Sequence, residues 1–226
     1  MWDELLELDR LHAQDAGYKM RKELTLENIR NFIAKDRPYY VALSWGKDSV
    51  VLAHMFHTLG AQCVYAYMIN ELREPEGNKA VRDVFLDCHK INYSEMRYTY
   101  EHADKTFFGR DKKHVKWLRI REDLQRKYGV HVTGVRADES AQRKMRFLHF
   151  GLETKNSFAP FARFNCQDVF AYLYEHDLPV HPNYAMLGGG RWDKYRLRVA
   201  AVGHCEGDGM GRREWEREYY GDILNR

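Results

Sequence analysis

At 226 residues, 44% of them hydrophobic and 31% charged, the chain is long enough for one domain with a real core, and a disordered or fibrous protein is excluded. The formal net charge is only +3, which forces no nucleic-acid partner, and no run of 18 apolar residues is present to span a membrane. The N-terminus, MWDELLELDRLHAQD, is acidic and lacks the basic-then-apolar order of a secretory signal, so a cytoplasmic protein is expected.

Residues 3–22 carry Leu5, Leu8 and Leu11 on one helical stripe, which suits pairing with a second copy, and Gly17 reads as a break. Thr25 is expected to cap a helix over LENIRNFIAKD that Pro38 ends. Tyr39 to Leu43 is a short apolar run that suits a buried strand. The polar turn SWGKDS, Ser44 to Ser49, follows, and Val50 to Leu59 returns to a helical pattern closed by Gly60. Cys63 to Ile69 is a second strand, Asn70 to Asn78 a polar loop, and Lys79 to Ile91 a helix. Glu95 to Tyr100 alternates like a strand. Lys105 to Arg121 holds seven Lys or Arg against Asp111 alone and leads into an amphipathic helix with Leu124 and Tyr128. Val130 to Val135 is a fourth strand that runs into Arg136-Ala137-Asp138-Glu139-Ser140. Past residue 150 come a helix over Cys166 to His176, loops at Pro179, Pro182 and Gly188 to Gly190, and an Arg-, Trp- and Tyr-rich end.

This order divides the chain into N-terminal helices at 1–37, an α/β core at 38–150 and a C-terminal segment at 151–226. Strands alternating with helices imply an α/β fold with a parallel sheet flanked by helices. Ligands of such sheets sit beyond the carboxyl ends of the strands, and both SWGKDS and RADES fall at that edge.

A phosphate needs converging N–H donors and positive charge. In SWGKDS, Gly46 permits close backbone approach, Lys47 reaches outer phosphate oxygens, and Ser44 and Ser49 offer hydroxyls. Asp48 accepts only, so it caps the helix or organises magnesium. GxxxxGK[ST] is absent, so this is not a Walker A loop, and an ordinary capped strand-to-helix turn is the plainer alternative. The four cysteines, Cys63, Cys88, Cys166 and Cys205, form no CC or CxxC pair, so reduced thiols and no iron–sulfur cluster are expected.

SWGKDS resembles the SGGxDS loop of the PP-loop ATP pyrophosphatases, the adenine nucleotide alpha-hydrolase-like superfamily. Gly134-Val135-Arg136-Ala137-Asp138-Glu139-Ser140-Ala141-Gln142-Arg143 is similar to a segment of the phosphoadenosine phosphosulfate (PAPS) reductase family within it. Asp168 to Leu173, Asp177-Leu178-Pro179 and His181-Pro182-Asn183-Tyr184 resemble that family's DVWxYI…LPxxPLY stretch. The three segments keep family order and run from about Tyr39 to Tyr184.

The resemblance implies a parallel sheet of the five-stranded type, and a nucleotide site in which Ser44, Trp45, Gly46, Lys47, Asp48 and Ser49 surround the phosphates. It implies that Arg136, Asp138 and Arg143 face the anionic nucleotide, with a surface salt bridge to Asp138 or Glu139 as the alternative for the arginines. The implied catalytic residues are Lys47, Asp48 and Arg136, with Asp48 on magnesium, and the implied ligand is ATP or PAPS. Trp45 departs from the family's glycine, where its ring would pack on the base, shield the site or narrow it. The reductases' C-terminal nucleophilic cysteine has only Gly203-His204-Cys205-Glu206-Gly207 to match it. Lys47-Asp48-Ser49 is kept, as in the ATP-cleaving members.

Three readings follow. The first is an ATP pyrophosphatase that adenylylates an acceptor, a protein or a nucleic acid, in sulfur transfer or nucleic-acid modification. The second is a sulfonucleotide reductase using Cys205, and the third is a non-catalytic nucleotide-binding subunit. GDGMGRREWEREYY, from Gly207, reads equally as a second phosphate or nucleic-acid contact and as a glycine loop before a solvated helix.

Overall fold

Apolar strands separated by amphipathic helices have one economical solution, a parallel sheet with helices on its faces, and the chain adopts it. A computed structural model describes residues 2–70, 74–75, 77–98, 112–185, 194–195, 199 and 217. Two helices come first, α1 (Trp2–Gln14) and α2 (Ala16–Ile33). Then β1 (Tyr39–Leu43), α3 (Lys47–Thr58), β2 (Val64–Asn70), α4 (Asn78–Cys88) and β3 (Tyr93–Tyr98) alternate. They are followed by α5 (Lys112–Tyr128), β4 (Val130–Val132), α6 (Ala141–Phe150), β5 (Ser157–Phe158) and α7 (Cys166–Glu175).

The five strands pair in the order β3-β2-β1-β4-β5, and every pair is parallel. The chain builds outward from β1 to β3, then returns to place β4 on the other side of β1. That reversal makes the crevice between β1 and β4 the topological switch point, where such sheets bind ligands. The segments after β1 and β4 are SWGKDS and RADES.

Within β1 the side chains divide between two layers, as strand pleating requires. Val41 and Leu43 join the large core with α2, α3, α4 and α7, while Tyr40 packs with Ala66 and Leu124 of α5 on the opposite face. Val50, Val51, Leu52, Met55 and Phe56 of α3 are fully buried. Each such side chain contributes about 1.5–3 kcal/mol of burial free energy.

The N-terminal helices differ from expectation. Gly17 does not break the chain and Thr25 does not cap it; α2 runs unbroken through both. Asp15 is the cap, its Oδ1 accepting from the Tyr18 N–H at 2.7 Å. Gly17 lies in the first turn, where helix propensity counts for little, and Thr25 is buried among Tyr18, Ile29 and Phe32 on the inward face. α3 begins at Lys47, earlier than expected, so Lys47, Asp48 and Ser49 form its first turn. Gly60 ends it at φ +71°.

α1 packs against α7, and Leu8 and Leu11 remain half exposed. A buried carboxylate ties these elements together. Asp168 of α7 accepts two hydrogen bonds from Arg21 of α2, at 2.8 and 2.7 Å, and one from the Asn165 N–H at 2.9 Å. His12 Nε2 of α1 lies 2.8 Å from Asp168 Oδ1.

His54 of α3 meets His89 edge-on and lies tilted against His176, with Nδ1 2.9 Å from the Tyr172 hydroxyl. No described helix is long and apolar enough to cross a membrane.

Candidate functional site

SWGKDS bends sharply because Trp45 takes a left-handed conformation, φ +56°, that lets β1 feed directly into α3. Ser49 braces the bend: its hydroxyl donates to Gly46 O at 3.0 Å and accepts from the Ser44 N–H at 3.1 Å. As arranged, the Ser49 hydroxyl proton is taken up within the loop, where a free phosphate donor was expected. Gly46 is the cap residue of α3 and offers no side chain to the first-turn amides. The Tyr184 hydroxyl lies against the Lys47 backbone N–H.

The expectation for Trp45 is also corrected. Its ring is fully buried, edge-on to Tyr67 and Tyr93 and tilted against Phe85 at 5.8 Å. Such an indole packs on no base and narrows no site; it anchors the loop to the core.

Lys47 points into the crevice with only 4% of its side chain exposed, its Nζ 3.1 Å from Asp48 Oδ2 and over the Tyr184 ring at 5.2 Å. Burial acts to lower its pKa, but Tyr184, Asp48 and Cys166 outweigh burial and the net shift is upward, so the ammonium stays charged.

Arg136 arrives from the other side of the crevice. The chain after β4 crosses the first turn of α3 at Gly134, where a Cβ would lie 2.9 Å from Asp48 O, so any larger residue would lift the segment away. That close approach brings Arg136 Nε to 2.6 Å from Asp48 Oδ1 across 88 positions of sequence. Arg136 Nη1 also donates to both oxygens of Asp138, at 2.8 and 2.7 Å. Arg136 is itself 4% exposed, whereas the Asp138 side chain is 39% exposed. Burial acts to raise the Asp48 pKa, but Lys47 and Arg136 overcome it and hold the carboxyl below its usual range. Arg143, on α6, pairs with Glu139.

Two site residues were not singled out for chemistry in the sequence. Cys166 opens α7, and its backbone N–H donates to Asp138 Oδ2 at 3.1 Å. Burial pushes its thiol up to about 11, against the pull of Lys47 and Arg136, so it is a poor thiolate. Tyr184 sits in a 3-10 turn, Pro182–Tyr184, and puts its buried ring beneath Lys47. Tyr184 closes the segment that resembles the family's LPxxPLY stretch, but no chemistry was read from it there; α7 and the turn beyond it carry the two residues to the loop. Cys205 and the Gly207 to Arg213 segment lie outside the described residues.

Magnesium does not fit Asp48 as arranged. Each Asp48 oxygen faces a cation, Lys47 on one side and Arg136 on the other, and a dication there would meet both. No group of three or more His, Cys, Asp or Glu suited to a metal ion occurs among the described residues.

No curated protein matches the chain. Among solved structures it is similar to a phosphoadenylyl-sulfate (PAPS) reductase from Candida auris, crystallised as a phosphate complex. The two are 14% identical with a TM-score of 0.49, over 75% of this chain and 89% of that one. Residues 38–187, from the start of β1 to just past Tyr184, match the phosphoadenosine phosphosulfate reductase domain, and the chain belongs to that family.

Proposed function

We propose that the protein binds an adenine nucleotide with its phosphates in the crevice between β1 and β4, and cleaves ATP between the α- and β-phosphates. One observation carries this: Lys47 and Arg136, from segments after two different strands, converge on the same Asp48 at the switch point. Two buried cations at a helix start suit a polyphosphate, because desolvated charges interact more strongly than in water. In the reaction an acceptor oxygen attacks the α-phosphorus. The bond from that phosphorus to the bridging oxygen breaks, and its electron pair leaves with pyrophosphate. Lys47 stabilises the charge that builds on the leaving group, and Arg136 orients the phosphate chain. Asp48 positions both cations. The acceptor is a protein or a nucleic acid in sulfur transfer or nucleic-acid modification.

The family match favours a second reading, reduction of a sulfonucleotide with Cys205 as the nucleophile. Cys166, although in the crevice, is protonated too firmly to serve instead. Two assays separate the readings. Pyrophosphate release from ATP, lost in Lys47→Ala and kept in Cys205→Ser, supports ATP cleavage. Release of sulfite from PAPS with a thiol donor, lost in Cys205→Ser, overturns it in favour of reduction. The absence of both activities, with nucleotide still bound, identifies a binding subunit.

A further inference from the structure

The cations of the crevice are covered by the protein's own carboxylates. Arg136 is 4% exposed, and the more exposed group over it is Asp138, which takes two hydrogen bonds from the guanidinium and a third from the Cys166 N–H. Asp48 holds the remaining side of the guanidinium at 2.6 Å, and Glu139 approaches it at 3.9 Å. The donors on Asp138, a guanidinium and a backbone amide, are of the kind that hold a phosphate or sulfate oxygen.

We propose that Asp138 is a built-in competitor that occupies the seat of a ligand oxyanion and sets the affinity of the crevice for polyphosphates. This deepens the anion-binding reading above and rests on it. An incoming phosphate oxygen exchanges with the Asp138 carboxylate, so the buried guanidinium is never left without a counter-charge, which would be costly. Asp48 stays in place throughout and keeps Arg136 oriented. The exchange selects for charge: a ligand with one weak anionic group gains little by displacing a carboxylate, whereas a polyphosphate gains more. Asp138 thus acts on binding as a specificity residue and takes no part in bond making.

Calorimetric titration of the full chain with inorganic pyrophosphate, ATP and adenosine tests this, in wild type, Asp138→Asn, Asp138→Ala and Glu139→Gln. Asparagine keeps the hydrogen-bond acceptor and removes the charge, so the fold has every reason to persist, and a thermal melt of each variant checks it. Pyrophosphate and ATP should bind on the order of tenfold more tightly to both Asp138 variants, with adenosine unchanged and Glu139→Gln shifted less. Pyrophosphate and ATP binding that is equal or weaker in folded Asp138→Asn overturns the proposal while leaving the nucleotide site intact. Equal tightening of adenosine overturns it as well, since that would report a general loosening of the crevice. If no protein binds ATP or pyrophosphate at all, the functional reading and this proposal fail together.

Discussion

Two clusters of buried ionic groups are built inside out from one another. In the first, the carboxylate of Asp168 is completely buried, while its partners Arg21 and His12 keep 25% and 21% of their side chains exposed. In the second, the cations Lys47 and Arg136 are each 4% exposed, while the carboxylates Asp48 and Asp138 keep 21% and 39%. A sealed anion with every lone pair filled has nothing to exchange and joins α1 and α2 to α7. Sealed cations beneath accessible carboxylates can trade one anion for another. In these two clusters the sealed partner is of opposite sign.

Four measurements would break or sharpen that contrast. The largest effect is expected in the crevice: Lys47→Ala should reduce pyrophosphate release from ATP by on the order of a hundredfold or more, as loss of one preorganised charge does. Its unfolding free energy should fall far less, because Asp48 retains Arg136; an unchanged turnover would remove the crevice from the chemistry. At Asp168 the pattern should invert. Arg21→Ala should cost about 3–5 kcal/mol in urea unfolding, the usual penalty for orphaning a buried charge, with little change in ATP affinity.

The third measurement is a pH series. His131, held neutral by burial beside the Tyr40 hydroxyl, titrates at about 3, and His54 at about 4, both below the unfolded value. Their folded pKa values are depressed, so their stability is present above about pH 6.5 and is lost as pH falls toward 4 and 3. The slope is about 1.4 kcal/mol per pH unit for each histidine in that window. The Asp168 and Asp48 pKa values are also lowered, and their loss begins only below the usual carboxylate pKa. Urea unfolding at pH 7 and pH 5 should therefore differ, and His131→Asn should flatten the difference; a wild-type curve level from pH 7 to 5 would contradict the buried neutral imidazoles. The smallest effect belongs to the surface: Lys35 is half exposed against Glu153, so Lys35→Ala should shift stability by less than about 1 kcal/mol.

Much of the crevice was legible because its parts are local. Tyr39 to Leu43 has the length and apolarity of a buried strand, and Gly46 and Lys47 announce the turn after it. The RADES cluster was placed at the crevice because it ends the fourth strand, and parallel sheets put such ends on one edge; the role of Arg136 within it came from the family resemblance. What stayed hidden depends on contacts that no window contains. Cys166 and Tyr184 join Lys47 only through the docking of α7, and the inward turn of the Trp45 ring follows from a φ angle that its neighbours do not signal. Thr25 misled because a good capping residue is also a small one, and here it fits the inner face of a helix already capped by Asp15.

The Trp45 backbone bears on how any ligand is received. A tryptophan held at φ +56° would relax to the common region if it were free, yet to do so it must withdraw its indole from between Tyr67, Phe85 and Tyr93. The bend is locked by packing that lies on the far side of the strand from the crevice. Association therefore meets a receptor already in shape, so little ordering entropy is spent at the loop, and the motion that accompanies binding falls to side chains such as Asp138.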